Sequence, residues 1–212
     1  MPDDHVIRTV AVYDSIADAY SVAMNDYTPD EERIKFTKLI TPGGMILDLG
    51  CAAGRDSIYY SSKGFQTVGV DLSEKLLAIA RQKAPQLTFL QQDVRDLRFP
   101  DTSFDGIWAC AIFLHLIQSE IKLAIKRCYT LLKPNGTLFV MMKNGKGETD
   151  VTENLSSGMT RHFTLFQPKE LEDVLKESGF NITEIYVWNS KDRYTPRRDV
   201  EWISCFARKY GV

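Results

Sequence analysis

The sequence predicts an α/β fold: a Rossmann-like, seven-stranded, mostly parallel sheet with an antiparallel last strand and helices on both faces. Three observations carry this. Short apolar, β-rich runs alternate with amphipathic runs, the pattern of a parallel sheet covered by helices. The first such run ends in a glycine-rich turn, Gly50 to Gly54. The last two β-rich runs are joined by a polar loop, 189–199, too short and too polar for a crossover helix, so these strands should be antiparallel neighbours. With 212 residues, 44% of them hydrophobic, the chain suits one domain with a sizeable core, and no internal linker or repeat divides it.

Taken in order, 12–24 and 30–40 read as two short helices. Strands follow over 45–49, 66–71, 87–91, 104–109 and 137–143. Turn chemistry such as Pro42-Gly43-Gly44, Lys63-Gly64 and Pro134-Asn135-Gly136 precedes them. Ser73 reads as an N-cap with Glu74 in the first turn, opening a helix that carries Leu76, Leu77, Ile79 and Ala80. A second helix, 119–132, sets Ile121, Ala124, Ile125, Cys128 and Leu131 on one stripe, and Pro134 and Gly136 end it. A third, 168–178, turns Leu171, Val174 and Leu175 inward and stops at Gly179, before strands over 181–188 and 202–208.

The chemistry concentrates in Ile46-Leu47-Asp48-Leu49-Gly50-Cys51-Ala52-Ala53-Gly54. A strand that ends in a glycine turn and opens a helix is where α/β sheets bind nucleotides. Gly50 and Gly54 permit the tight turn, and the small Ala52 and Ala53 let a ligand approach the backbone. Asp71 ends the second strand, 21 residues after Gly50, where a carboxylate can accept both hydroxyls of a ribose. Asp93 ends the third and can accept from an adenine amino group. A dinucleotide site needs G-x-G-x-x-G for its pyrophosphate. Here the spacing is G-x-x-x-G, and an acid at Asp48 repels pyrophosphate but suits an ammonium or a sulfonium. S-adenosylmethionine carries both charges as well as a ribose and an adenine.

These motifs, with Val70-Asp71-Leu72-Ser73, Gln92-Asp93-Val94, Phe104-Asp105-Gly106-Ile107 and Leu131-Leu132-Lys133-Pro134-Asn135-Gly136, resemble a class I S-adenosylmethionine-dependent methyltransferase of the small, ubiquinone-biosynthesis-like branch. They cover residues 44–143 in order. The resemblance implies that Asp48, Gly50, Cys51, Ala52 and Gly54 form the loop holding the methionine part, although Asp48 can equally orient the glycine loop by hydrogen bonds without touching the cofactor. It also implies that Asp71 and Leu72 hold ribose and that Asp93 and Val94 hold adenine, with Ala109 and Tyr20 completing the cofactor set. Ala52 stands where the family usually has Gly. Residues 1–40, with Tyr13 and Tyr20, resemble the family's amino-terminal helical lid; packing of that helix on the core explains the same aromatics equally well. The expected product is S-adenosylhomocysteine.

His115, just after the fourth strand, is the one candidate for a general base, although in similar enzymes a His here often only lines the pocket. Lys143 and Arg161 should face the acceptor pocket together with Tyr13 and His115. Arg161 suits a carboxylate or phosphate, or is a solvated loop charge. Arg197 and Arg198 read as surface. Methyl transfer from a sulfonium needs alignment and exclusion of water rather than a triad or a metal, and no metal-ligand spacing occurs.

Net charge is −2, which disfavours a long phosphate backbone as partner and favours a small-molecule acceptor. The run Arg161-His162-Phe163-Thr164-Leu165-Phe166 loosely resembles tRNA wobble-uridine methyltransferases, the first rival. A non-catalytic cofactor-binding subunit and a nicotinamide-dependent oxidoreductase are the others, the last disfavoured by the glycine spacing. The start of the sequence lacks signal-peptide character, no run spans a bilayer, and the four scattered cysteines read as buried free thiols. A soluble, cytoplasmic monomer or homodimer is therefore expected.

Overall fold

Alternation along each strand sorts the apolar side chains onto two faces, and each face takes its own helices. The computed structural model describes residues 5–152, 158–194 and 199–210. Its main sheet contains β1 (Met45–Leu49), β2 (Gln66–Asp71), β3 (Thr88–Gln91), β4 (Phe104–Cys110), β5 (Leu132–Lys143), β8 (Asn181–Asn189) and β9 (Glu201–Arg208). Their spatial order is β3-β2-β1-β4-β5-β9-β8. The first five run parallel, and β9 is antiparallel to both β5 and β8. The expected sheet, antiparallel last strand included, is the one found.

One face buries Leu47, Leu49, Ile107, Leu138, Val140 and Cys205 against α6 (Gln118–Leu131) and α7 (Pro168–Glu177). The opposite face buries Ile46, Trp108, Phe139 and Phe206 against Phe36 of α3 (Asp30–Leu39) and Tyr60 of α4 (Arg55–Ser62). There Trp108 and Phe139 stack with ring centroids 4.0 Å apart, an arrangement that adds to plain area burial. Ser73 caps α5 (Glu74–Lys83) as expected, its Oγ accepting from the Leu76 N–H at 3.2 Å.

Two departures from the sequence reading matter for the site. The helix expected over 12–24 is two helices, α1 (His5–Ser15) and α2 (Ala17–Ala23), with Ile16 between them at φ −116° and ψ 12°. The start of α1 is rich in β-branched Val6, Ile7, Thr9 and Val10, which weakens any helix signal in isolation. It is helical because Val6, Thr9 and Val12 pack inward. Second, the segments after β5 form an antiparallel hairpin, β6 (Gly147–Thr152) and β7 (Thr160–Leu165), in place of loops. The hairpin is fastened to the end of β5, where the Gly145 N–H donates to the Phe166 carbonyl at 3.0 Å. Arg197 and Arg198 lie outside the described residues. Among the described residues no helix is long and apolar enough to cross a membrane, and no cluster of three His, Cys, Asp or Glu side chains is placed to hold a metal.

Candidate active site

The carboxyl ends of β1, β2 and β4 open on a cavity of about 580 Å³, roofed by α1 and α2 and walled on the far side by β7, β8 and β9. That is the size range of small-molecule sites. Gly50 turns the chain at φ +67°, and a Cβ there would sit 2.7 Å from the Ile112 side chain. Glycine is thus required twice over, by conformation and by space. Two alanines on the cavity wall, Ala52 and Ala111, also take left-handed conformations, at φ 48° and 57°. Such strain in non-glycine residues collects at ligand sites.

Asp71 holds this loop. One carboxylate oxygen accepts the Ala52 N–H and the other the Ser73 N–H, both at 2.9 Å. A carboxylate has about four acceptor positions, so these two donors leave capacity for a ligand. Burial raises the pKa of Asp71, and the backbone donors oppose that rise.

Below the loop is a second acidic layer. Asp56 accepts from Arg33 Nε at 2.7 Å, Arg55 Nη2 at 2.8 Å and Trp108 Nε1 at 3.1 Å. Burial alone would raise its pKa, but the two guanidiniums outweigh burial and hold it well below the carboxylate range. Among the described residues no guanidinium bonds to Asp48, and the more distant Arg55 charge only partly opposes its rise. Burial and the Asp56 charge push it up to about 7, and Ser57 Oγ donates to it at 2.7 Å. Arg55 also donates to the carbonyls of Tyr27 (2.6 Å) and Met24 (3.2 Å), tying the segment after α2 to the glycine loop. Sequence reasoning missed Arg55 on the cavity wall. Its place directly after Gly54, in the first turn of the helix, was the available signal.

At the far side a chain of hydrogen bonds has a fixed direction. The His162 carbonyl can only accept, so His115 Nδ1, 3.1 Å away, carries the ring proton. His115 Nε2 then accepts from Tyr13 Oη at 2.9 Å, and Tyr13 Oη accepts from Arg161 Nη1 at 2.8 Å. Burial, followed by the nearby Arg161 and Lys143 charges, pushes His115 down to about 3. It is therefore a weak proton acceptor at neutral pH, against the expectation of a base poised near pH 7.

Gly50, Cys51, Ala52, Asp71, Leu72, Asp93 and Val94 line the cavity, as do Tyr13, Tyr20, His115, Lys143 and Arg161. Three expected cofactor residues are placed elsewhere. Asp48 lies behind the loop, bonded to Ser57. Gly54 turns toward Phe89 and Ala80. Ala109 is core, because β4 runs one residue further and delivers Cys110 and Ala111 to the edge instead. Asp93 lines the cavity while its carboxylate binds Arg95, through the backbone N–H at 2.8 Å and the guanidinium at 2.6 Å.

Residues 46–136 match the model of a family described as a methyltransferase domain. The chain is 34% identical over 133 residues to a Bacillus subtilis (strain 168) protein named putative methyltransferase YqeM, over 60% of this chain and 53% of that one. The match thus spans about half the length of that relative. It is 26% identical over 187 residues to the ubiquinone biosynthesis O-methyltransferase of Xanthomonas campestris pv. campestris (strain B100), covering 79% of this chain and 77% of that protein. Among solved structures it superposes on the Burkholderia thailandensis 1,6-didemethyltoxoflavin-N1-methyltransferase, which has 1,6-didemethyltoxoflavin and S-adenosylhomocysteine bound. The TM-score is 0.76 at 19% identity, over 97% of this chain and 88% of that one.

Proposed function

We propose that the chain is a class I S-adenosylmethionine-dependent methyltransferase that methylates a small-molecule acceptor held in the far half of the cavity, a reading supported by the match of residues 46–136 to a methyltransferase-domain family. The observation that carries the assignment of the cofactor half is the pairing of the Gly50 turn with Asp71, which keeps acceptor capacity where a ribose would lie. A second feature agrees: Thr9 Oγ1, buried on the cavity wall, has no hydrogen-bond partner among the described residues.

When bound, S-adenosylmethionine supplies an electrophilic methyl on a sulfonium whose departure leaves a neutral thioether. Gly50, Cys51 and Ala52 would cradle the methionine part, Asp71 and Leu72 the ribose, and Asp93 and Val94 the adenine, with Tyr20 closing from α2. Asp48 shapes the loop through Ser57 and α4. The Arg161–Tyr13–His115 chain orients the acceptor side, with His115 positioning Tyr13. What the residues contribute is alignment and exclusion of water. We also propose that residues 1–40 act as the lid of a single domain, since Arg55 joins them to the glycine loop. The four free cysteines fit a reducing compartment, the cytoplasm.

Isothermal calorimetry tests this. S-adenosylmethionine and S-adenosylhomocysteine should bind, and NAD should not; tight NAD binding without the methyl donor sinks the reading.

A further inference from the structure

The acids of the cavity and two of its cations line different halves of the sheet; Arg55 at the start of α4, bonded to Asp56, and Lys83 at the end of α5 line it as well. Asp71 and Asp93, the acids among its described lining residues, end β2 and β3 on one half of the sheet. The other half is built from β5, β9 and β8 with the β6–β7 hairpin, and there the charged lining groups are cations. Lys143 ends β5, and its Nζ lies 3.9 Å from the centroid of the Phe163 ring. Arg161, two residues before Phe163 and so on the same face of β7, holds its guanidinium carbon 5.2 Å from that same ring. Both cations therefore converge on one aromatic plate. Arg161 is 5% exposed, and Nη1 is fixed by Tyr13, so its position is set before any ligand arrives.

The remaining wall is aromatic. Trp188 and Trp202, paired across β8 and β9, lie nearly parallel at 26° with centroids 6.4 Å apart. Tyr194 stands edge-on to Trp188 at 6.0 Å. Flat rings favour a flat ligand. A guanidinium beside an ammonium in a low-dielectric pocket favours an anion, the more so with a fork geometry that matches a carboxylate.

We propose that the methyl acceptor is a small planar aromatic carboxylate, its anionic group held by Arg161 and Lys143 and its ring among Phe163, Trp188, Tyr194 and Trp202. The proposal rests on the methyltransferase reading of the cavity. The same cavity, about 580 Å³, must take the donor as well, so the acceptor is small.

The test uses the full chain saturated with S-adenosylhomocysteine. Benzoate, salicylate and indole-3-acetate are each titrated against the corresponding primary amide, with calorimetry and tryptophan fluorescence as readouts. At least one acid should bind roughly tenfold or more tighter than its amide, the worth of a charge-assisted hydrogen bond. Arg161→Gln and Lys143→Gln should each erase most of that preference, and Arg161→Lys should restore part of it. Thermal stabilisation by S-adenosylhomocysteine should persist in all three variants. Equal binding of acids and amides, a preference that survives both glutamine substitutions, or no binding by any acid overturns the proposal. If Arg161→Gln fails to fold, Lys143→Gln decides alone. Failure of the wild-type chain to bind S-adenosylhomocysteine is a different result, and overturns the cofactor assignment instead.

Discussion

At the residue scale the site depends on a few backbone commitments made by side chains. Asp71 both shapes the glycine loop and lines the cavity. Asp71→Ala should weaken S-adenosylhomocysteine binding by about 2–3 kcal/mol, measured calorimetrically on protein whose far-ultraviolet spectrum is unchanged. Undiminished affinity would confine Asp71 to the loop. Ala52 sits at φ 48°, where an L side chain costs about 1 kcal/mol relative to glycine. Ala52→Gly should therefore leave thermal stability level or slightly raised, and a marked loss in a melting curve would show that its methyl is packed. The titration of Asp48 carries a signed prediction. Its folded pKa of about 7 lies above the ordinary 3.8, so between about pH 4 and 7 the folded state binds the extra proton. Stability from this group therefore falls as pH rises through that window and levels off above it. Asp56 acts oppositely: lowered in the folded state, it contributes stability above about pH 4 that is lost on further acidification. Asp48→Asn should raise the unfolding free energy from urea titration at pH 8 by roughly 1–3 kcal/mol, and do little at pH 4.

At the scale of elements, the amino-terminal helices are held to the sheet by buried polar contacts as well as by apolar packing. Glu32 of α3 is fully buried and accepts from Tyr186 Oη (2.8 Å), Arg193 Nη1 (2.8 Å) and Ser204 Oγ (3.2 Å). Glu32→Ala would leave Arg193 with Glu31 alone and deprive Tyr186 Oη of its buried acceptor, and should cost about 2–4 kcal/mol in urea unfolding. A change within experimental error would show that water replaces the carboxylate. Such contacts explain what the sequence could and could not disclose. The parallel strands and α5 to α7 were legible because apolar period, caps and turn residues agree locally. Gly50, Ala52 and Asp71 were legible because the ends of two neighbouring parallel strands, β1 and β2, fix all three. The β6–β7 hairpin was not, because Gly147-Glu148-Thr149-Asp150 is polar and exposed on both faces and pairs only through its partner strand. Nor was the first turn of α1, whose helicity is imposed by tertiary burial. Ala109 was misplaced for a smaller reason, since a one-residue difference in where β4 ends exchanges the inward face for the cavity rim, whereas Asp48 takes the loop-orienting alternative through Ser57.

Across the whole molecule, charge and topology set the remaining expectations. Net charge is −2, and Arg8, Arg55, Arg95, Arg98 and Arg127 are each paired with an acid. Neutralised cations release few counterions, so bulk tRNA should show no micromolar, salt-sensitive retention in a filter-binding series near physiological ionic strength. Such retention would promote the tRNA reading over a small-molecule acceptor. The position of β9 has a consequence in time. It lies between β5 and β8 and is hydrogen-bonded to both, although its residues follow every other strand in the chain. During synthesis β5 must wait with one edge open while residues 144–200 are made, and Trp202, the last aromatic of the acceptor wall, arrives with the strand that closes the gap. Closure of the sheet and of the cavity wall is thus a single event that waits on β9. Nascent chains arrested through an added downstream linker, with β9 still in the exit tunnel and β8 outside it, should be protease-sensitive across β8, and a longer linker that exposes β9 should protect both together.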